Sequence, residues 1–585
     1  MTKLPAPRRS PSWAHSIAYF ALFGIGLLLA WHFWPRELIP PRFTISPETT
    51  YFTKPVREDG YIDYRAALNE KYSEGITPEN NALVPLMQAM GSEIPAFDKI
   101  PEEFFDRLGM ERPSRQSNHL VKIETLASEE NWKELESPTQ FEEWYKKVLE
   151  RPWKREDYPQ LANWLERNRS PLALVEQAAK RSRFYAPVVY SSEARAENEY
   201  LLGAILPHLQ TTRELHQMLI ARAMLSIGEK SYEAAWNDLL MALQLSHLYS
   251  QGSLLIESIL GMSERQRTCE ATISLLECPL PAALVQKIEQ DLQSLPPFQN
   301  VSRQINLGER AAILDTLQRF HMWGTSGEDM TGLPRPPIPG YFKHREINRL
   351  RAANWDPVLK KVNQWYDRLA ETATKSKRSE RDVIQLQDKI KLNFMRIEVQ
   401  NARQSWWAFL RSAQGEVELF GNQIIVLVTP AIDNLCLAQD RAEQKFRLLA
   451  LAVQLARHRQ EKGEYPENLH ELSPKPSTAL LIDISNEKPL YYERTTNGYL
   501  LSVVAEGSTK DANNLPNMDF LIQVPRPPLP MTELELSRLK PGLNVSRLAF
   551  LPACSLASLA CPASPVLAMA YMAVESIEPI RPTRP

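Results

Sequence analysis

Ten histidines and five cysteines are the residues from which a zinc site or a nucleophilic enzyme would be built in this 585-residue chain, and their spacing offers neither. No HExxH, paired HxH or CxxC occurs, so the ligand spacings typical of zinc are missing from the sequence. His208 and His216 lie eight residues apart near an expected helix start, and His458 and His470 flank an expected turn. All four read as surface or capping histidines. There is no GxSxG elbow, Walker loop or GxGxxG, and Gly324-Thr325-Ser326-Gly327 has the wrong spacing for any of them. Glu102-Glu103 and Glu142-Glu143 are adjacent and so point apart on a helix, whereas general acid and base work needs carboxylates that converge. Trp406-Trp407 suits helix packing, or a groove for a peptide, lipid or glycan. No catalytic, cofactor-binding or metal residue is singled out, and no cofactor is expected.

Cys269, Cys278, Cys436, Cys554 and Cys561 are too few and too scattered for a disulfide framework. The first three fall in helical patterns, where a thiol is a small buried apolar group. Lys plus Arg at 68 against Asp plus Glu at 70 leaves a net charge of -2 with no long block of one sign, which argues against nucleic acid as a partner. Glycine is scarce at 21, and the 45 prolines gather in stretches such as Leu333 to Pro339 and Pro525 to Pro530 that mark boundaries. The length exceeds what one core usually supports, so two or three domains are expected.

The elements that would position any site begin with an anchor. Between Arg9 and Arg36 there is no charged side chain, and Ile17 to Trp34 gives a helix of about 27 Å, close to the hydrocarbon thickness of a bilayer. A cleaved signal peptide is the rival, but Ala30-Trp31-His32-Phe33-Trp34-Pro35 offers no small-x-small cleavage site. Lys3, Arg8 and Arg9 before the span put the N-terminus in the cytoplasm and the rest outside the cytoplasmic (inner) membrane.

The expected organisation is mainly α, with a cytoplasmic segment 1–16, a transmembrane helix 17–34 and an extended stalk 35–58. A small helical subdomain 59–130 follows, with Thr77 capping a helix through Met90 and Pro78 at its first position. A helical domain spans 131–323, overwhelmingly helical from Thr139 to about Leu295. Its clearest element is a hairpin of Thr212 to Ile227 and Ser231 to Tyr249, similar to one tetratricopeptide unit but without a second copy at that period. A Pro/Gly loop 324–345 leads to a helical region 346–436, with a helix capped by Asp356 and another from Val383 to Leu410 after the charged run Lys375 to Arg381. The segment 437–525 is a small α+β module. Its helix, Asp440 to Glu461, is stopped by Gly463 and packs on a hairpin turning at Asn497-Gly498, with a third strand from Phe520 to Val524. The tail 526–585 is Pro-rich and apolar; Leu548 to Val574 is uncharged but broken by three prolines, which makes it a poor second span.

Three phrases carry a resemblance: Asp59 to Ala82, Arg151 to Pro187 and Arg222 to Gly252. They are similar to a family of large membrane-anchored proteins abundant in planctomycete-type bacteria, over about residues 51 to 525, and the resemblance implies no activity. Leu448 to Pro474 with the following hairpin resembles the helix-plus-sheet region of type II secretion pseudopilins. That likeness would map a calcium loop near Glu506, Gly507, Ser508 and Asp511, where the loose spacing reads as a solvated loop. The resulting expectation is a non-enzymatic envelope protein held in the bilayer through Ile17 to Trp34, acting as a scaffold that binds other envelope proteins. An envelope hydrolase whose groups converge only in three dimensions, and a pseudopilin-like secretion component, are the alternatives.

Overall fold

The computed structural model describes residue 24 and residues 44–115, 119–129, 145–194, 200–323, 348–404, 412–504 and 518–526. The architecture is mainly helical, with one small antiparallel sheet near the end of the described chain. Of the expected membrane span only Gly24, which is helical, is described. The rest of 17–34, Glu142-Glu143, Gly324-Thr325-Ser326-Gly327, Trp406-Trp407, residues 506–511, Cys554, Cys561 and the tail 548–574 lie outside the described residues.

Helices α1 (Tyr64–Ser73), α2 (Leu83–Met90), α3 (Glu102–Leu108), α4 (Ile123–Glu129), α5 (Pro159–Arg167) and α6 (Arg169–Ala179) precede a longer antiparallel set. This set is α7 (Leu209–Gly228), α8 (Tyr232–Tyr249), α9 (Leu255–Leu276) and α10 (Ala282–Ser294). The α7–α8 hairpin matches the sequence expectation to within a few residues, because Ala235, Trp236, Leu239, Ala242 and Leu243 recur at helical spacing and all are buried. A π-turn at Ile305–Glu309 leads into α11 (Arg310–Trp323), followed by α12 (Asp356–Thr374), α13 (Arg378–Gln404) and α14 (Ala413–Lys462).

Helix α14 is the spine of the molecule. Its first half buries Val417, Phe420, Ile424, Ile425, Val428 and Ile432 in a core shared with α1, α11 and α12. The second half buries Leu448, Leu449, Leu451, Val453 and Leu455 in a core shared with α2 and α5 to α10 and with the sheet. By length and composition it is the one helix among the described residues long and apolar enough to cross a membrane, yet 67% of its apolar window is buried inside the protein. Gly463, at φ +84°, closes it by returning its N–H to the Arg459 carbonyl, as the sequence predicts.

Strands β1 (Tyr491–Thr495), β2 (Gly498–Val504) and β3 (Met518–Val524) pair in sequence order, and Leu501, Val503 and Val524 point their side chains into the α9–α14 core. The hairpin forms one residue earlier than expected. Thr495 pairs with Gly498, so Thr496 and Asn497 make the turn. Gly498 is a strand residue whose missing side chain admits the Val524 carbonyl, which a Cβ would meet at 1.6 Å.

Other expectations are corrected by local hydrogen bonding or by burial. Thr77 does not cap α2, which begins only at Leu83. The Asn80 side chain takes the Thr77 N–H at 2.9 Å, and Asn81 takes those of Leu83 and Tyr185 at 3.1 and 3.0 Å, an alternative to helix that asparagine offers the backbone. The stretch from Thr139 to Leu295 is less continuously helical than expected, since residues 182–190 run without helix between α6 and α7. Residues 44–58 are docked rather than a free stalk. Thr49 and Thr50 are buried, Asn363 donates to the Glu48 and Thr49 carbonyls at 3.0 and 2.7 Å, and Lys360 pairs with Glu48. Asp356 is the first residue of α12 rather than its cap, and accepts from the Thr44 hydroxyl at 2.7 Å. The break before α13 is confined to residues 375–377. The helix expected from Asp440 starts instead at Ala413, across the boundary expected at 436/437.

Candidate functional site

His208 and His216, expected at the surface, are both fully buried, where α7 meets α9. His208 Nε2 lies 3.1 Å from Glu257 Oε1, and Glu257 Oε2 accepts from the Leu254 backbone N–H at 3.0 Å. That carboxylate satisfies an otherwise free donor at the start of α9 and ties it to the start of α7.

Eight residues on, His216 Nε2 is 2.9 Å from the Thr268 hydroxyl, which donates its proton to the Glu264 carbonyl at 2.7 Å. Since the hydroxyl has only one proton and gives it to the carbonyl, the network assigns the imidazole proton to Nε2. Burial, reinforced by the Arg267 charge, lowers the His216 pKa to about 3 and keeps the ring neutral. Glu264 Oε2 stands 3.8 Å from His216 Nε2 and 3.5 Å from Arg267 Nε, with Arg213 Nε 3.9 Å from Oε1. Burial raises the Glu264 carboxyl, while Arg267 and Arg213 pull it back.

This cluster has the residue types of a catalytic triad without its wiring. Thr268 offers His216 no proton to abstract, so it is not an activated nucleophile. The adjacent Cys269 thiol is buried and pushed up to about 12, far from the thiolate range. No group of three or more His, Cys, Asp and Glu among the described residues is arranged to hold a metal ion. Nearby, the Thr211, Thr212 and Tyr249 hydroxyls and His216 Nδ1 lack a protein hydrogen-bond partner, a polar lining of the kind that buried water satisfies. His458 is half-buried and His470 exposed, and neither joins this cluster. Glu102 and Glu103 diverge as expected, to Arg112 and to Arg65 with Arg107.

A cleft of about 320 Å³ opens between α9, α14 and β3. Ile273, Leu448, Leu449, Leu521 and Ile522 line it, with the Glu270–Lys445 ion pair and the inert Cys269 thiol. The volume lies at the small end of the range for ligand pockets, and its polar groups are already paired or unreactive.

The third feature is the outer face of α13. Arg381, Asp388, Leu392 and Val399 are buried on its inner face, where Arg381 pairs with Asp440 of α14 and Arg368 of α12 pairs with Asp388 at 2.6 Å. Val383, Leu386, Ile390, Phe394 and Ile397 are instead 53% to 71% exposed. At 100° per residue these five fall within an arc of about 80°, roughly opposite the buried face. Of the eight large apolar side chains that stand exposed among the described residues, five are on this one stripe. Single exposed apolar residues are ordinary, but a contiguous row is the mark of an interaction surface. The signal was present in the sequence as a second apolar spacing, 383, 386, 390, 394 and 397, interleaved with the buried one.

No family model, no curated protein and no solved structure matches the chain.

Proposed function

We propose that this chain is a non-enzymatic, membrane-tethered envelope protein that works by binding protein, and that the outer face of α13 is its docking surface. The observation that carries the reading is the concentration of exposed apolar side chains on α13, from Val383 to Ile397. A helix with one apolar face committed to its own core and a second left to solvent has the pattern of the helix-in-groove and helix-pairing modes of recognition. The tether is the apolar segment Ile17 to Trp34, which would hold this surface close to the bilayer on the exported side.

The test is photo-crosslinking in intact membranes, with a benzophenone amino acid placed at Ile390, at Phe394 and, as a control on the same helix, at Lys391. Protein adducts at the two stripe positions, with fewer or none at the control, are expected. No adduct at either stripe position rejects the docking surface.

A further inference from the structure

Arg265, on α9, is only 2% exposed, and its Nε and Nη1 are buried without a hydrogen-bond partner among the described residues. The guanidinium carbon lies 3.9 Å from the ring centre of Phe446 on α14 and 5.1 Å from that of Phe298, which follows α10. Ring contacts of this kind engage the flat face of the cation. The N–H donors lie in its plane and stay unused.

Nothing around the guanidinium neutralises it. Glu443, the one carboxylate whose charge acts on it, is already paired with Arg447 at 3.2 Å. Glu264, next in the chain, turns to Arg267 and Arg213, and Glu270 pairs with Lys445. The Cys269 thiol, pushed up to about 12 by burial, stays protonated. His247 of α8 adds a second unpartnered atom, its buried Nδ1. Burial, reinforced by the Arg265 charge, lowers the His247 pKa and leaves that ring neutral. The balance where α8, α9 and α14 meet is therefore one positive charge. Arginine does not escape that charge by losing its proton, and an uncompensated buried ion is among the costliest groups a fold can hold.

We propose that Arg265 anchors a binding site for one small monovalent anion, chloride or a carboxylate, at the junction of α8, α9 and α14 beside His247. A single negative charge closes the balance. Sulfate or phosphate would overshoot it and would need room for four oxygens. The guanidinium edge supplies the charge-assisted donors that such an anion accepts. Phe298, Phe446 and His247 are each half-buried, so the anion has one layer of side chains to pass. An anion held there joins three helices and stabilises the folded state by mass action.

The experiment is chlorine-35 NMR of the full-length chain in a non-ionic detergent. The chloride line is expected to broaden saturably on addition of protein and to narrow again as acetate competes, while sulfate competes poorly. Arg265→Met should weaken the effect by at least about tenfold, whereas Arg169→Gln, at an exposed arginine of α6, should leave it unchanged. Melting of the parent should rise along the chloride series more than that of Arg265→Met, which also checks that the variant folds. If Arg265→Met does not fold, Arg265→Lys takes its place, since it keeps the charge but loses the fork and should bind several-fold more weakly. No saturable broadening in the parent, or undiminished broadening in the folded variant, overturns the proposal and leaves Arg265 held by its ring contacts alone. Sulfate competing as well as acetate overturns the monovalent assignment. Acetate displacing chloride below the chloride midpoint supports a carboxylate as the preferred ligand, and the reverse order supports chloride.

Discussion

Arg222 on α7 grips Asp238 on α8 through two hydrogen bonds, Nε to Oδ2 at 2.9 Å and Nη2 to Oδ1 at 2.6 Å. The carboxylate is buried and the guanidinium reaches partly to solvent. Burial raises the Asp238 carboxyl and Arg222 draws it back down. Removing the guanidinium leaves a buried acid without a partner, which costs more than the pair itself contributes. Arg222→Ala should destabilise the α7–α8 hairpin by about 2–4 kcal/mol, read as a lower melting temperature and faster amide exchange in both helices. Arg222→Lys should fall between, since an ammonium cannot reproduce the fork. Wild-type exchange rates in the Ala variant would contradict this.

Trp236 is fully buried, and its Nε1 donates to Asp291 of α10 at 2.7 Å. Trp236→Ala should cost about 3–5 kcal/mol, from the cavity and the lost burial together. Trp236→Phe and Asp291→Ala each abolish the hydrogen bond, so their effects should be less than additive in the double variant. Simple additivity of the melting shifts would mean that the two side chains are not coupled.

Glu309, at the end of the π-turn, is buried, and its pKa is raised by desolvation to about 7 against a hydrogen bond from the Leu255 backbone. An acid whose folded pKa is raised adds stability that is fully present below its unfolded value of 4.5 and is lost as pH rises towards 7. Glu309→Gln should remove that fall, worth on the order of 3 kcal/mol. His216 acts in the opposite direction. With its pKa lowered to about 3, its contribution is complete above 6.5 and is lost as pH drops towards 3. Melting temperature against pH for Glu309→Gln and His216→Asn should therefore flatten different limbs of the profile, the first between about 4.5 and 7 and the second below 6.5. Parallel profiles for variant and parent would refute either assignment.

Cys269 and Cys436 are buried, and desolvation pushes both thiols up to about 12. Both should resist alkylation by iodoacetamide at pH 8 in the folded protein and react fully after denaturation. Cys278, which is half-buried, should be modified at an intermediate rate. Peptide mapping by mass spectrometry reads all three, and rapid native modification of Cys269 would show that it is accessible.

Helix periodicity and end signals were legible in the residues themselves. The spacing of Tyr232, Trp236, Leu239 and Leu243 located α8, Gly463 closed α14, and the apolar residues around Asn497-Gly498 located β1 and β2. Each of these depends on neighbours within a few positions, where local geometry decides. The continuity of α14 was not legible, because Pro430, Gly415 and Gly421 all argue locally against a helix there. An interior proline costs about 3 kcal/mol. Burial of Phe420, Ile424, Ile425, Val428 and Ile432, each worth about 1.5–3 kcal/mol, outweighs it, and that burial exists only once α11 and α12 have packed.

His208 and His216 follow the same rule. Their positions near the start of α7 are compatible with solvent or with core, and only the approach of α9, bringing Glu257 and Thr268 to hydrogen-bonding distance, makes them interior residues. Along α13 the residue order alone lays down two apolar stripes, since the 100° step assigns each side chain to a face. Which of the two is buried depends on long-range packing. Arg381 and Asp388 find partners on α14 and α12, and those long-range ion pairs turn Leu392 and Val399 inward and leave Val383 to Ile397 facing solvent.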